Sequence, residues 1–212
     1  MTLNQRILLF FFLLFIPLIL IWSFQKKFVQ YSGEVMGTTF SIKLYAPIWV
    51  SKLRVINEVN TVFANINSTF STWDDNSEIS LFNKNTSLEP IIVSDEFAYL
   101  TGLSTNLYSL SAGAFDPTIM PLLTLWGFNS QNSYYKIPNS ELVEFTSSFV
   151  GFDKLSIHNN TITKQNEKLT LDYSSIAKGY SVDAVASVLK ELGISDFMIE
   201  VGGEILVSTP SY

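Results

Sequence analysis

The sequence predicts an α+β protein, in which one folded domain at residues 32–212 follows an uncharged, apolar N-terminal segment at residues 7–24. Two observations predict the class. Apolar residues alternate with polar ones in short stretches, which is typical of half-buried strands. Elsewhere they recur every three or four residues over longer stretches, which is typical of amphipathic helices. Strands and helices mixed along one chain without repeats indicate an α+β domain.

The N-terminal segment is long and apolar enough to cross a membrane. Residues 7–24 include no charged side chain, and at about 1.5 Å per residue a helix of this length spans a bilayer core of about 30 Å. Pro17 is tolerated in a membrane helix. A cleaved signal peptide is the alternative, but the flank Gln25–Phe28 offers no small-residue cleavage site, which favours an anchor. Basic residues lie on both sides, so charge leaves the orientation open.

Composition excludes several kinds of site. The formal net charge of -6 argues against nucleic-acid binding, which needs a concentrated surplus of Lys and Arg. The absence of cysteine excludes disulfides, thiolate metal sites, a cysteine nucleophile and a lipid-modified cysteine. The single histidine, His158, leaves little room for a histidine triad or a multi-histidine zinc site. A bound metal is therefore expected to be a hard cation with oxygen ligands.

The first half of the domain predicts a strand and two helices. Residues Thr38–Tyr45 alternate with period two and predict a half-buried strand. Apolar side chains between Leu53 and Ile66 recur at helical spacing. Ser94 is a predicted N-cap ahead of two acidic residues, and the helix it opens is predicted to end at Gly113.

The second half predicts four short strands and one helix. The helix covers Ile176–Leu192, with Gly193 as its C′ residue. Asn159 and Asn160 suit a turn between the first two strands. The predicted strands are Lys154–Ile157, Thr161–Lys164, Leu169–Tyr173 and Phe197–Val201.

Four segments contain candidate functional residues, and each also has an ordinary structural explanation. Gly37 can relieve crowding at a strand start, and Asp116 before Pro117 can be a helix N-cap. Lys178 can be a solvated charge, and Gly202-Gly203 can be a turn. The segments are Met36–Phe40, Ser71–Trp73 with Ser77–Asn83, Gly113–Thr118 continuing to Phe128, and Leu171–Tyr180 with Asp183 and Gly202–Ile205.

In their order and spacing these four segments resemble the ApbE family, the FAD:protein FMN transferases, over roughly Met36 to Ile205. The resemblance implies a T-fold-like domain in which FAD is held at the positions that match the family's motifs, and Mg²⁺ is bound partly through the backbone carbonyl of Ser175. The chemistry suits the ligand, since thioether and indole groups pack on rings, backbone N–H groups near a helix start meet acceptors, and a lysine can neutralise a diphosphate. The implied FAD-binding residues are Met36, Trp73, Ala114, Phe115, Asp116, Asp172 and Lys178.

The resemblance also implies a reaction and a location. FMN is transferred from FAD to a threonine hydroxyl of a target protein, AMP is released, and no catalytic residue can be named. The implied target belongs to a membrane redox complex, either a sodium-pumping NADH:quinone reductase or an Rnf-type complex. The domain is expected on the periplasmic side of the inner membrane, with residues 1–6 in the cytoplasm. Two alternatives remain: an exported FAD diphosphatase, and a non-catalytic FAD-binding protein.

The matched motifs cover the N-terminal part of the family pattern. Family members continue with a His-containing segment, Asp-Pro and Thr-Gly, and then an Asp/Thr cluster that supplies most magnesium ligands. We therefore expect that the chain is C-terminally truncated and lacks most of the metal site, so that its activity is uncertain. We also expect Phe197–Val201 to be an exposed edge strand.

Overall fold

The computed structural model describes residues 25–128 and 137–209, and it confirms a mixed α/β architecture. Two compact units divide the chain: unit 1 comprises Met1–Phe63 and Gly179–Tyr212, and unit 2 comprises Ala64–Lys178. The sequence did not predict this division. Its boundaries fall within two long helices, α1 (Lys52–Phe70) and the last helix (Ser174–Glu191).

Unit 1 is built on a four-stranded antiparallel sheet in the order β1-β2-β6-β7. Both of its hairpins turn through two residues with positive φ, Met36-Gly37 and Gly202-Gly203, as type I′ turns require. One face of the sheet is buried against side chains of the two long helices, and Ile42 and Leu44 lie at the centre of this core. The strands are β1 (Lys26–Val35), β2 (Thr38–Pro47), β6 (Phe197–Val201) and β7 (Glu204–Ser208).

Predictions for unit 1 hold in part. The strand predicted at Thr38–Tyr45 is β2, and α1 covers the helix predicted from Leu53 to Ile66. The sequence missed β1, which pairs along its whole length with β2 and starts ahead of the predicted domain boundary at residue 32. The prediction of an edge strand at Phe197–Val201 is wrong, because β6 lies between β2 and β7.

Unit 2 contains short helices and a small sheet around an aromatic core. The sheet is antiparallel, in the order β3-β5-β4. Rings of Phe70, Phe97 and Tyr173 pack at centroid distances between 5.6 and 6.1 Å. Its elements are α2 (Glu78–Lys84), β3 (Ile91–Ile92), α3 (Asp95–Leu110), a 3-10 turn at Pro117–Ile119, α4 (Met120–Leu125), α5 (Ser140–Ser147), a 3-10 turn at Phe152–Lys154, β4 (Leu155–His158), β5 (Thr161–Lys164) and the start of α6 (Ser174–Glu191).

Most predicted elements of unit 2 are present. Helix α3 begins after Ser94, whose hydroxyl accepts from Phe97 N at 3.2 Å, and Gly113 follows its end with φ 83°. The predicted hairpin is β4–β5. The strand predicted at Leu169–Tyr173 is absent, although all three of its apolar side chains are buried.

No helix within residues 25–128 and 137–209 is long and apolar enough to cross a membrane. The anchor predicted at residues 7–24 lies outside the described residues.

Candidate functional site

The side-chain amide of Asn83 joins the second motif segment to the fourth. Its Nδ2 donates to Leu171 O at 2.8 Å, and its Oδ1 accepts from Leu171 N at 2.7 Å. The same Nδ2 lies 3.2 Å from Met120 Sδ. Because Leu171 is fully buried, its backbone groups need protein partners. Asn83 supplies both and so fixes the residue that precedes Asp172.

Asp172 joins the third and fourth segments. Its backbone N donates to Pro117 O at 2.8 Å, and its Oδ1 accepts from Ser174 N at 2.7 Å. Only 7% of its surface is exposed. The carboxylate thus caps the first turn of α6, where it also complements the helix dipole. Three of the four predicted segments are therefore brought together within unit 2.

Asp116 acts as the N-cap that the residue pattern alone suggested. Its Oδ1 accepts from Thr118 N at 2.8 Å and from Thr118 Oγ1 at 2.6 Å, and its Oδ2 accepts from Phe152 N at 3.2 Å. Thr118 Oγ1 in turn accepts from Gly151 N at 2.7 Å. Both carboxylate oxygens of Asp116 thus hold the turn at Pro117–Ile119 against residues 151–152. A role for this residue in FAD binding stays a prediction.

The turn at Ala114 and Phe115 differs from expectation. Ala114 N donates to Ser111 O at 3.1 Å, and Phe115 N donates to Ser111 Oγ at 2.9 Å. These N–H groups were expected to be free for a ligand, and the structure shows that they are used locally. A role for Ala114 and Phe115 in FAD binding stays a prediction.

Trp73 presents its ring to solvent from a well-held loop. Its side chain is 66% exposed. Ser77 Oγ donates to Ser71 O at 2.6 Å and accepts from Ser80 N at 3.2 Å, capping α2. The loop is thereby tied to the helix that carries Asn83. An exposed indole on a fixed loop is available for stacking on a flat ring.

Ser175 and Lys178 both lie in the first turns of α6. Ser175 was expected in a loop between a strand and a helix, but the helix already begins at Ser174. Within a helix each carbonyl accepts from the N–H four residues later, so the Ser175 carbonyl is directed along α6. Lys178 follows one turn later and is partly exposed.

The described residues do not by themselves make a magnesium site. Residues 25–128 and 137–209 hold no group of three or more His, Cys, Asp or Glu side chains placed to bind a metal. Mg²⁺ demands a near-octahedral shell of oxygens, and a single backbone carbonyl, such as that of Ser175, cannot complete one.

Lys164 hydrogen-bonds the C-terminal end of α2. It is 1% exposed, and its Nζ donates to Phe82 O at 2.7 Å and to Asn85 O at 2.8 Å, 4.4 Å from the centre of the Phe82 ring. Burial lowers the pKa of Lys164 to about 8. The ammonium group binds carbonyls at the C-terminal end of α2, where cations are favoured. These two carbonyls lie on either side of Asn83 in sequence.

Tyr173, which follows Asp172, is anchored in the core. It is fully buried, and its hydroxyl lies 2.7 Å from Thr101 Oγ1. Thr101 donates its own proton to Phe97 O at 2.7 Å, so Tyr173 is the donor to Thr101. Burial raises the pKa of the Tyr173 phenol. With Leu171 held by Asn83, both neighbours of Asp172 are anchored in the core.

A cavity of about 430 Å³ lies within unit 2 beside the Asp116 cap. Tyr108 and Phe152 contribute rings 5.6 Å apart. Loss of hydration and the negative charges of Asp153 and Asp116 raise the pKa of Tyr108. The lining residues are Gly102, Thr105, Asn106, Tyr108, Phe152, Asp153, Leu155 and Ile157.

Met36, the first predicted site residue, belongs to unit 1. It occupies the first position of the β1–β2 turn with φ 53°, followed by Gly37 with φ 71°. A non-glycine residue rarely adopts this left-handed conformation. Met36 therefore lies in a strained backbone conformation, which is often found at functional sites.

The sequence did not identify Asn83, Lys164 or Thr118 as site residues. No pattern in the sequence singles them out, and their importance follows from the burial, complete or partial, that the structure shows. Each satisfies backbone groups: Asn83 those of Leu171, Lys164 the carbonyls of Phe82 and Asn85, and Thr118 the N–H of Gly151. Asn83 is the one of the three that joins two predicted segments.

The ApbE family model matches residues 36–211, and this chain belongs to the ApbE family. An FAD:protein FMN transferase of Vibrio cholerae is 36% identical over 178 residues, covering 84% of this chain and 53% of that protein. One from Haemophilus influenzae is 34% identical and covers 85% of this chain and 54% of the relative.

Solved structures agree. The flavin transferase ApbE from Vibrio cholerae superposes with a TM-score of 0.84 at 34% identity, covering 88% of this chain and 61% of that one. The apo flavinyl transferase ApbE of Pseudomonas stutzeri gives 0.83 at 31% identity, with 89% and 61% covered. The chain thus spans about half the length of the curated relatives it matches.

Proposed function

We propose that the whole protein is an FAD:protein FMN transferase, and that the described residues contribute its FAD-binding part. The observation that carries this is the hydrogen-bonded junction of three motif segments around Asp172. Family membership supplies the reaction class. A threonine hydroxyl of the target attacks the phosphorus of the FMN half and releases its proton to solvent. The bond from that phosphorus to the bridging oxygen breaks, and AMP leaves with this oxygen.

Three residues of unit 2 have chemistry that suits FAD. Asp172, fixed on both sides, can accept from ribose or ring N–H donors. Trp73 can stack on a flat ring. Lys178 can offer positive charge to the diphosphate. In unit 1, we propose that the thioether of Met36 packs against the flavin.

We also propose that the reaction depends on Mg²⁺, which when bound would neutralise charge on the diphosphate. The Ser175 carbonyl is the candidate ligand among the described residues. Substrate phosphate oxygens and water commonly complete such a shell.

The proposed partner is a threonine-containing subunit of a sodium-pumping or Rnf-type membrane complex. We propose that residues 7–24 anchor the protein in the inner membrane with the folded part outside the cytoplasm. The uncharged length of this segment supports the proposal.

The test is to incubate the whole protein with FAD, Mg²⁺ and a threonine-containing target peptide, and to follow FAD binding by flavin fluorescence, AMP release, and covalent label by in-gel fluorescence. A labelled target with AMP is the expected result. AMP release without a target would indicate a diphosphatase, and FAD binding with neither product would indicate a non-catalytic protein. No FAD binding would refute the proposal.

A matched pair of variants on one helix sharpens the test. Lys178→Ala is expected to weaken FAD binding about tenfold, equivalent to about 1.4 kcal/mol. Lys190→Ala, an exposed lysine later in α6, is expected to leave it unchanged. Equal effects of the two variants would remove Lys178 from the site.

A further inference from the structure

Unit 1 carries exposed aromatic side chains at the end of its sheet where the chain enters. Phe28 is 54% exposed, Tyr45 47% and Trp49 55%. Phe28 and Tyr45 are cross-strand partners with ring centroids 5.5 Å apart. Together with two lysines, Lys26 and Lys43, which the strand register places on the same face, we call this the basic aromatic surface.

Hydrogen bonds hold this surface beside the entry of the chain. Ile48 N donates to Gln25 O at 3.2 Å, and Lys27 Nζ donates to Ile48 O at 3.3 Å. The first residue of β1 pairs with the last residue of β2. The loop that carries Trp49 is therefore fixed next to Gln25, which directly follows the apolar run at residues 7–24.

The sequence around this surface is net basic, whereas the sequence after it is net acidic. Residues 25–54 contain five basic and one acidic side chain, whereas residues 55–212 contain seven basic and eighteen acidic ones. Two acidic residues lie on the β6 side: Asp196, whose carbonyl accepts from Tyr45 N at 2.9 Å, and Glu200, which pairs with Ser41. A concentrated positive charge in an acidic protein is complementary to a negatively charged partner.

We infer that the basic aromatic surface docks on the headgroups of an anionic phospholipid bilayer. Aromatic side chains are favoured at the membrane interface, where the ring meets the acyl boundary and the polar edge stays hydrated. Lysines within a Debye length of the surface are attracted by anionic lipids. The inference uses the proposed anchor, which would hold Gln25 at the bilayer, but predicts an additional contact by Lys43, Tyr45 and Trp49, which are remote from the anchor in sequence.

The absence of cysteine permits clean site-specific labelling of the full chain. A nitroxide is attached to Ser51→Cys, two residues after Trp49, and in a second sample to Ser156→Cys, an exposed serine of β4 in unit 2. Each protein is reconstituted into vesicles of phosphatidylcholine alone or with phosphatidylglycerol. Power saturation then measures collisions with oxygen and with a water-soluble nickel chelate.

The expected result is that phosphatidylglycerol shields the label at 51, but not that at 156, from nickel while leaving it accessible to oxygen. Lys26→Glu combined with Lys43→Glu should abolish the shielding, whereas Lys168→Glu combined with Lys190→Glu should not. Equal nickel accessibility at both sites, in protein that resists carbonate extraction, would overturn the inference but keep the anchor. Shielding from both reagents would mean that protein covers the surface, which also overturns it.

If carbonate releases the whole chain from the vesicles, the anchor is refuted, and the docking surface is then tested by a separate measurement. In that case, sedimentation with phosphatidylglycerol vesicles that depends on Lys26 and Lys43 would support the inference, and no sedimentation would overturn it. Circular dichroism of every variant confirms that these exposed substitutions leave the fold intact.

Discussion

Replacing Asn83 by alanine is expected to destabilise the protein and to weaken FAD binding together. The variant removes two hydrogen bonds of 2.7 and 2.8 Å and leaves the N–H and C=O of buried Leu171 without partners. Each unsatisfied buried group costs about 1–3 kcal/mol. Because a water molecule can enter the space left by the amide, we expect a loss of about 2–4 kcal/mol in the free energy of unfolding.

The effect on FAD binding follows from the position of Asp172, which directly follows Leu171. Release of Leu171 lets the Asp172 backbone shift, and a loss of about 1.4 kcal/mol in the interaction with the ligand is about tenfold in the dissociation constant. Urea unfolding and flavin fluorescence titration measure the two quantities. Asn57→Ala, an exposed asparagine of α1, is the control and should change neither.

The isosteric variant Asn83→Asp distinguishes hydrogen bonding from packing. An ionised carboxylate can still accept from Leu171 N but opposes Leu171 O, so the pKa of this side chain should be raised in the folded state. The folded state then favours the protonated form, and the variant should gain stability relative to the parent as the pH falls through that pKa. If Asn83→Ala unfolds within about 0.5 kcal/mol of the parent and binds FAD equally well, the junction does not position Asp172.

The remaining predictions concern three residues. Lys164→Met should lose about 2 kcal/mol in the free energy of unfolding at pH 7, since two buried carbonyls lose their donor. Because the folded-state pKa of Lys164 lies at about 8 rather than 10.5, the parent should gain up to about 3 kcal/mol of stability relative to the variant as the pH rises between these two values. A stability difference that does not change with pH in urea unfolding would contradict this. Asp116→Ala should lower the free energy of unfolding by about 2–4 kcal/mol, because three hydrogen bonds are lost, and Asp116→Asn should lower it less. If Asp116→Asn binds FAD with unchanged affinity, the carboxylate serves only as a cap. Met36→Gly should raise the free energy of unfolding by up to about 1 kcal/mol, because glycine adopts positive φ without strain. The same variant should weaken FAD binding if the thioether packs on the flavin ring, and equal affinity would exclude that contact.

Local patterns predicted those elements whose stabilising partners lie close in sequence. Helix α3 has its cap at Ser94 and its stop at Gly113, and the β4–β5 hairpin has its turn at Asn159-Asn160. Strand β1 has no such signal. Its residues alternate between more and less exposed from Lys26 to Tyr31 but not along the rest of the strand, although β1 pairs with β2 along its whole length, so the pairing, and not an intrinsic pattern, defines the strand.

The sequence supplied candidate site residues, whose role in FAD binding stays a prediction, but it did not predict their hydrogen bonds. Asp116 and Asp172 were identified by motif, yet the structure shows each also capping a helical turn. One carboxylate can thus carry a local structural role and still lie at the junction of the motif segments. The N–H groups of Ala114 and Phe115 were assigned to a ligand because nothing in the sequence shows that Ser111 accepts from both.

The segment from Leu169 to Tyr173 explains why period two did not give a strand. Alternation reports that side chains point alternately to a buried side and an open side, and it is silent on what satisfies the backbone. Here the amide of Asn83 offers one donor and one acceptor to Leu171, as the peptide of a neighbouring strand would, and Pro117 O accepts from Asp172 N. A true partner strand would occupy the backbone groups along the whole segment. Replacing it by one side chain and one carbonyl lets the third motif segment approach Asp172, so the missing strand is what allows the motif segments to meet.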